Sequence, residues 1–117
     1  MSAKPRHQEL VTFHAEICQA LADPNRIELL YELADGPRNV TSLVEATGIA
    51  QPTVSRHLKT LRERGMVEAT RDGGFVLYRL ADRRFIEALD LLRAALGDIL
   101  GRRGRLAEAL NQPSLSA

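Results

Sequence analysis

Cysteine, tryptophan and long apolar runs are what this chain has least of, and each shortage excludes something. Its single cysteine, Cys18, rules out a disulfide within the chain and any site built from two thiolates of one chain. There is no Trp and the aromatic share is only 4%, so the core has to be assembled from Leu, Ala, Val and Ile. No stretch approaches the ~18 consecutive apolar residues of a membrane helix, and no membrane partner is expected. No apolar run follows the first charges, so no signal peptide is expected and the expected localisation is cytoplasmic. Three scattered histidines, no glycine-rich loop after a strand and no paired carboxylates leave no nucleophile–base–acid arrangement. No catalytic residue is expected, and the chain is not read as an enzyme.

What is present is ordinary globular composition. The 117 residues are 44% hydrophobic and 26% charged, enough for one compact domain with a modest core. A formal net charge of +1 does not by itself suggest nucleic acid, but its distribution does. Residues 51–71 hold five bases (Arg56, Lys59, Arg62, Arg64, Arg71) against two acids, whereas residues 24–50 hold two bases against four acids.

Periodicity orders the elements. Leu10, Val11, His14, Ile17, Cys18 and Leu21 recur at helical spacing over 7–21. Asp23-Pro24 reads as an N-cap and first helical position, and the helix it opens runs to about Ala34 with Ile27, Leu30, Tyr31 and Ala34 facing inward. After Gly36-Pro37 a third helix spans about Val40 to Thr47, capped by Asn39 or Thr41. Gly48 frees the backbone for a sharp turn, Ile49 plugs the angle, and a fourth helix follows from Gln51 to Arg64. Gln51, Thr53, Ser55, Arg56 and His57 form a polar face beside an apolar stripe of Val54, Leu58 and Leu61. That is the pattern of a helix-turn-helix, about 40–64, whose second helix enters a DNA major groove.

From Val67 to Leu80 the period becomes two around Gly73-Gly74, which predicts a β-hairpin; directly after such a helix it forms a wing. Asp82 is a candidate N-cap for a long last helix with a stripe of Phe85, Ile86, Leu89, Leu92, Leu96, Ile99 and Leu100. Gly97, Gly101 and Gly104 weaken its second half, marking a bend or the end of its ordered part. The expected fold is therefore mainly α with a small β-hairpin, a winged helix-turn-helix in one domain over 1–110, with 111–117 as a disordered tail. The first and last helices are surplus to its core, and a dimer interface formed by both explains their apolar stripes. A dimer also places two reading helices about one DNA turn apart.

Three segments resemble the ArsR/SmtB family of bacterial transcriptional repressors. They are Ala20-Leu-Ala-Asp-Pro-Asn-Arg26, Gln51-Pro-Thr-Val-Ser-Arg-His-Leu-Lys-Thr-Leu-Arg-Glu-Arg-Gly-Met-Val67 and Arg71-Asp-Gly-Gly-Phe-Val-Leu-Tyr-Arg-Leu80. The likeness covers roughly Leu10 to Leu100 and rests on the joint spacing of the three. It implies a winged-helix homodimer that represses a double-stranded DNA operator and lets go when an inducer binds. By the same resemblance Gln51, Thr53, Ser55, Arg56 and His57 read bases, Gln suiting adenine and Arg guanine through paired hydrogen bonds. Thr41, Ser42 and Lys59 would contact phosphates, and Arg71 on the wing would reach the minor groove or backbone. Ala50 departs from the Ser usual at that cap.

The sensing half departs further. Asn39-Val40-Thr41 stands where many relatives carry a Cys-x-Cys metal site, and Arg84 and Ala95 stand where others carry histidines beside Asp82 and Asp98. No metal cofactor is expected from these positions. His7, His14 and Cys18 lie on one stripe of the first helix and, with a carboxylate from a partner, would hold zinc or nickel. The preferred reading makes Cys18 a small buried hydrophobe and His14 a core or interface residue beside Leu10, Ile17 and Leu21. Redox sensing at Cys18 needs a second thiol from the partner or a small-molecule cap, and a low pKa in an exposed position. The inducer is thus a small molecule in the dimer interface, a metal at an atypical site, a thiol-reactive species, or none.

Two arginine readings complete the inventory: Arg26 in an intrachain ion pair, and Arg102, Arg103 and Arg105 as a solvated helix end. The alternative function is a protein–protein interaction module without DNA binding. Against it stands the base-rich polar face of the fourth helix, where an interaction module exposes apolar anchors.

Overall fold

Asp23 and Pro24 start the helix on which the rest of the reading unit is packed. Asp23 Oδ1 accepts from the backbone N–H of Asn25 (2.8 Å) and of Arg26 (3.3 Å), and Pro24 fills the first turn, where its missing N–H is harmless. The computed structural model describes residues 3–111, and these divide after Arg83 into two compact units. In the first, this second helix, Pro24–Ala34, packs on the third helix, Val40–Thr47, the fourth, Gln51–Glu63, and the second strand of the hairpin. Contacts on several sides bury Leu29, Leu30 and Leu33, a different set from the single stripe expected. Of that stripe only Leu30 is fully buried; Ile27, Tyr31 and Ala34 are half-buried, because a helix surrounded on several sides buries a wide arc.

Asn39 caps the third helix, its Oδ1 accepting from Ser42 N–H at 2.8 Å. Asn39→Ala is expected to cost ~1 kcal/mol of stability, read as a lowered urea midpoint with an unchanged slope. The helix stops at Gly48, whose φ of 73° is the left-handed value that glycine adopts without strain. The fourth helix ends at Gly65 in a Schellman motif, Met66 N–H donating to Leu61 O (2.9 Å) and Gly65 N–H to Arg62 O (3.0 Å). Leu43, Val54, Leu58, Leu61, Met66 and Val67 join the second helix's leucines in the core.

The hairpin pairs Val67–Asp72 with Phe75–Leu80 antiparallel, from Val67 opposite Leu80 to Asp72 opposite Phe75. Gly73 alone of its loop glycines has positive φ, as a type II′ turn requires. An isolated bridge that the sequence pattern does not announce adds a third segment: Arg38 and Tyr78 exchange both backbone hydrogen bonds at 2.9 Å. This bridge ties the linker before the third helix to the wing.

The first helix, 7–20, is not α-helical throughout. A π turn, Leu10–His14, separates His7–Glu9 from Ala15–Ala20, and Ala15 N–H closes it onto Leu10 O. Only Ala20 is buried, Ile17 and Leu21 are half-buried, and Leu10, Val11 and Phe13 are exposed. The second unit is a single unbroken helix, Arg84–Asn111. Its three glycines do not end it; Asn111, counted with the expected tail, is the last described residue of the helix, and 112–117 lie outside the described residues. Leu91, Leu92, Leu96, Leu100, Leu106 and Leu110 are all exposed on it.

Candidate nucleic-acid interface

The fourth helix is divided lengthwise by burial. Val54, Leu58 and Leu61, spaced at four and three residues, are wholly buried, while Gln51, Pro52, Arg56, Lys59 and Arg62 are exposed. The left-handed Gly48 turn and the packing of Leu43 hold the third helix across its start. At that start Gln51 Nε2 donates to Ser55 Oγ (3.3 Å), and Ala50 contributes no side-chain cap to the first-turn N–H groups. Thr53 and Ser55 are half-buried at the margin of the exposed strip.

Thr41 is exposed on the third helix, and Ser42 is half-buried. Arg38 Nη1 donates to Ser42 Oγ (3.1 Å) and Arg38 Nη2 lies 3.5 Å from Glu32 Oε2, so the Ser42 hydroxyl is held in place with its own hydrogen still available to donate. Arg71 is exposed near the hairpin tip, and Arg79 is bound across the wing to Glu68 at 2.8 Å. Donor-rich Gln51, Arg56, Lys59, Thr41 and Arg71 on an exposed surface, backed by a dry core, suit phosphates and base edges.

His57 does not belong to that surface. It was expected to read bases, yet it is only 3% exposed and faces the core with Leu58. Arg26 Nη1 lies 3.4 Å from its Nδ1, and Asp23 Oδ1 lies 3.8 Å from its Nε2, which is buried and has no hydrogen-bond partner. The spacing already contained this: residue 57 falls three after Val54 and four before Leu61, on the inward face. Burial holds the imidazole below its ordinary value, Arg26 and Arg56 lower it further, and Asp23 opposes them. Asp23 is also held low; burial pushes it up, but the Asn25 and Arg26 N–H bonds and the neighbouring positive groups outweigh that.

The signs follow by linkage. Between the lowered folded pKa of His57 and the ordinary ~6.5, the unfolded chain binds more protons, so this contribution to stability is present above pH ~6.5 and is lost as the pH falls. Urea unfolding at pH 7.5 and 5.5 is expected to show a decline that His57→Gln reduces; an identical decline in both would contradict it.

Arg26, expected in an ion pair, is attracted electrostatically to Asp23, but among the described residues its guanidinium bonds elsewhere. Its Nε donates to Ala20 O (2.7 Å) and its Nη2 to Gln19 O (3.2 Å), satisfying carbonyls at the end of the first helix. Cys18 is exposed rather than buried within the chain, since Ile17, Ala20 and Leu21 take the inward positions of that helix. His7 and His14 are exposed too, His14 Nε2 lying 3.9 Å from Glu9 Oε2. Among the described residues no three His, Cys, Asp or Glu side chains come together as metal ligands. The one-stripe placement of His7, His14 and Cys18 assumed α-helical phase, which the π turn interrupts.

Fold and surface together define a winged helix-turn-helix protein. The family described as "Bacterial regulatory protein, arsR family" matches residues 23–69, the capped second helix through the first strand of the wing. The HTH-type transcriptional repressor SmtB of Mycobacterium tuberculosis is 44% identical over 78 residues, 67% of this chain and 58% of the repressor. The biofilm growth-associated repressor of Agrobacterium fabrum is 39% identical over 88 residues, 73% of this chain and 75% of that protein. Among solved structures, the homodimeric winged helix-turn-helix DNA-binding domain of Mb0332 from Mycobacterium bovis (fragment 1–100) superimposes with a TM-score of 0.70 at 31% identity, covering 84% of this chain and 92% of the other. The chain belongs to the ArsR family of bacterial transcriptional regulators, a family of regulators rather than enzymes. It spans 58% of the length of the mycobacterial SmtB repressor that it matches.

Proposed function

We propose that the chain is a homodimeric, sequence-specific DNA-binding repressor that an inducer releases from its operator. The observation that carries the reading is the lengthwise division of the fourth helix, with Gln51, Arg56 and Lys59 outward and Val54, Leu58 and Leu61 wholly buried. Gln51 and Arg56 are assigned to base edges, with Thr53 and Ser55 at the margin of the contact. Lys59, Thr41, Ser42 and the wing's Arg71 are assigned to phosphates or the minor groove. Homodimerisation is supported by the exposed Leu10, Val11 and Phe13 on the first helix and the exposed leucines of the last helix, and by the dimeric state of the Mb0332 domain.

The test is a titration of a fluorescent duplex from the gene's own upstream region, with an unrelated duplex as competitor. Retention that resists the competitor and weakens steeply with salt is the expected result, because bound Lys and Arg displace counterions. Salt-independent retention, or none, would favour the protein–protein alternative. For the inducer, the exposed thiol of Cys18 makes the thiol-reactive reading the most direct to examine. Operator release by a disulfide reagent, abolished in Cys18→Ser, would establish it; unchanged release in Cys18→Ser would leave the small-molecule and metal readings.

A further inference from the structure

We infer that His57, held by Arg26, is a positioning residue for DNA reading: the pair fixes the rotation of the fourth helix against the junction of the first two helices. The inference rests on the DNA-binding function proposed above. Arg26 stands on the second helix, and its guanidinium spans three elements. It donates to the Ala20 and Gln19 carbonyls at the end of the first helix and reaches His57 at the middle of the fourth. Arginine only donates, so Nδ1 of His57 is the acceptor and the ring proton sits on Nε2. That N–H is the one buried side-chain polar atom without a hydrogen bond among the described residues, and it points towards Asp23 Oδ1 at 3.8 Å. Asp23 is itself committed to capping the second helix. An unsatisfied buried N–H is costly, and a leucine on this face would avoid the cost. Its retention is explained if the ring's job is orientation rather than stability.

Beside the buried Ala20, this seam is bordered by polar side chains. A cavity of about 130 Å³ lined by Gln19, Ala20, Arg26, Thr60 and Arg64 lies between the first helix and the fourth. Polar links border it: Arg26 at one side, and at the other Arg64, which lies 3.5 Å from Glu16 Oε2 and donates to Gln19 Oε1 at 3.4 Å. Rotating the fourth helix by one residue position, about 100°, would carry Arg56 and Lys59 away from the groove. The His57–Arg26 link opposes that rotation through a directional bond.

The groups facing His57 are Asp23 and Arg26 from the second helix and Arg56 from its own; the first helix presents only backbone carbonyls, through Arg26. A proton added at Nδ1 would remove the acceptor that Arg26 uses, and burial with Arg26 and Arg56 resists that proton in the folded chain. His57→Gln keeps one acceptor and one donor, and His57→Leu keeps neither.

Operator affinity, thermal midpoint and oligomeric state are to be measured for the three proteins at pH 7.5. His57→Leu is expected to lose ~10-fold in operator affinity at pH 7.5 with its thermal midpoint kept or raised, the size of one hydrogen bond to a charged group. His57→Gln is expected to recover most of that loss. Native affinity in folded His57→Leu, or no recovery of affinity in His57→Gln, would overturn the inference. If His57→Leu does not fold, Arg26→Lys carries the test: the charge stays but the fork is lost, so a similar affinity loss is expected, and native affinity would overturn it. Failure of the native chain to bind the duplex at all refutes the DNA-binding reading instead, and with it this inference.

Discussion

Leu58→Ala is expected to remove ~2–5 kcal/mol of folding stability, the largest effect on stability of any single substitution considered for this chain. Leu58 is 0% exposed at the centre of the fourth helix, with Val54 and Leu61 a turn away on the same face and the leucines of the second helix opposite. Truncation removes three buried carbons and leaves a cavity that this rigid seam of helices fills only in part. Against a total of ~5–15 kcal/mol for a domain of this kind, that is at least about an eighth of the whole and, for a marginal domain, all of it. Since each kcal/mol moves the midpoint of a small domain by about 4–8 °C, a drop of ~10 °C or more is expected in a thermal scan. Leu58→Met conserves volume and should cost less than ~1.5 kcal/mol. Similar small losses for both variants would mean that the inward face has been misplaced.

Arg56→Ala should act on the opposite face, leaving the fold and weakening recognition. Its side chain is exposed, so stability should change by no more than ~0.5 kcal/mol. A bidentate contact from arginine to a guanine edge is worth ~1–3 kcal/mol, and a symmetric dimer loses it twice, giving ~2–6 kcal/mol in operator affinity. Discrimination at the paired base positions should fall with it. Lys59→Ala is the control, because a lost phosphate contact weakens all duplexes alike and lowers the salt slope without changing base preference. The two variants separate reading from anchoring. Unchanged affinity and base preference in Arg56→Ala would displace the reading helix from the groove.

Helix starts, the Gly48 turn and the hairpin were legible in the sequence because each depends on local chemistry. Asp23-Pro24, Asn39 and Gly73 act within a few residues of themselves, through caps or a backbone angle. Features set by distant partners were not. The Arg38–Tyr78 bridge joins residues forty positions apart, and nothing in either neighbourhood announces it. Arg26 was assigned an ion pair because charge is visible in sequence, whereas the carbonyls it caps belong to the end of another helix. The π turn at Leu10–His14 shifted the face on which His7, His14 and Cys18 were thought to align.

His57 is a different kind of miss. Its residue type suggested DNA, while its position, three after Val54 and four before Leu61, placed it with the core. Position was the better guide, because side-chain direction on a helix is fixed by phase and only afterwards does chemistry select a partner. The same rule kept Gln51, Arg56 and Lys59 together on the exposed side.

The most direct test of the account is a map of amide shifts in the isotope-labelled chain as an operator duplex is added. The fourth helix from Gln51 to Lys59, the start of the third at Thr41 and Ser42, and the wing at Arg71 are expected to move most, with Leu10 to Phe13 of the first helix changing little. Shifts confined to the first or last helix, with Arg56 and Lys59 unmoved, would contradict the claim that the exposed face of the fourth helix reads DNA.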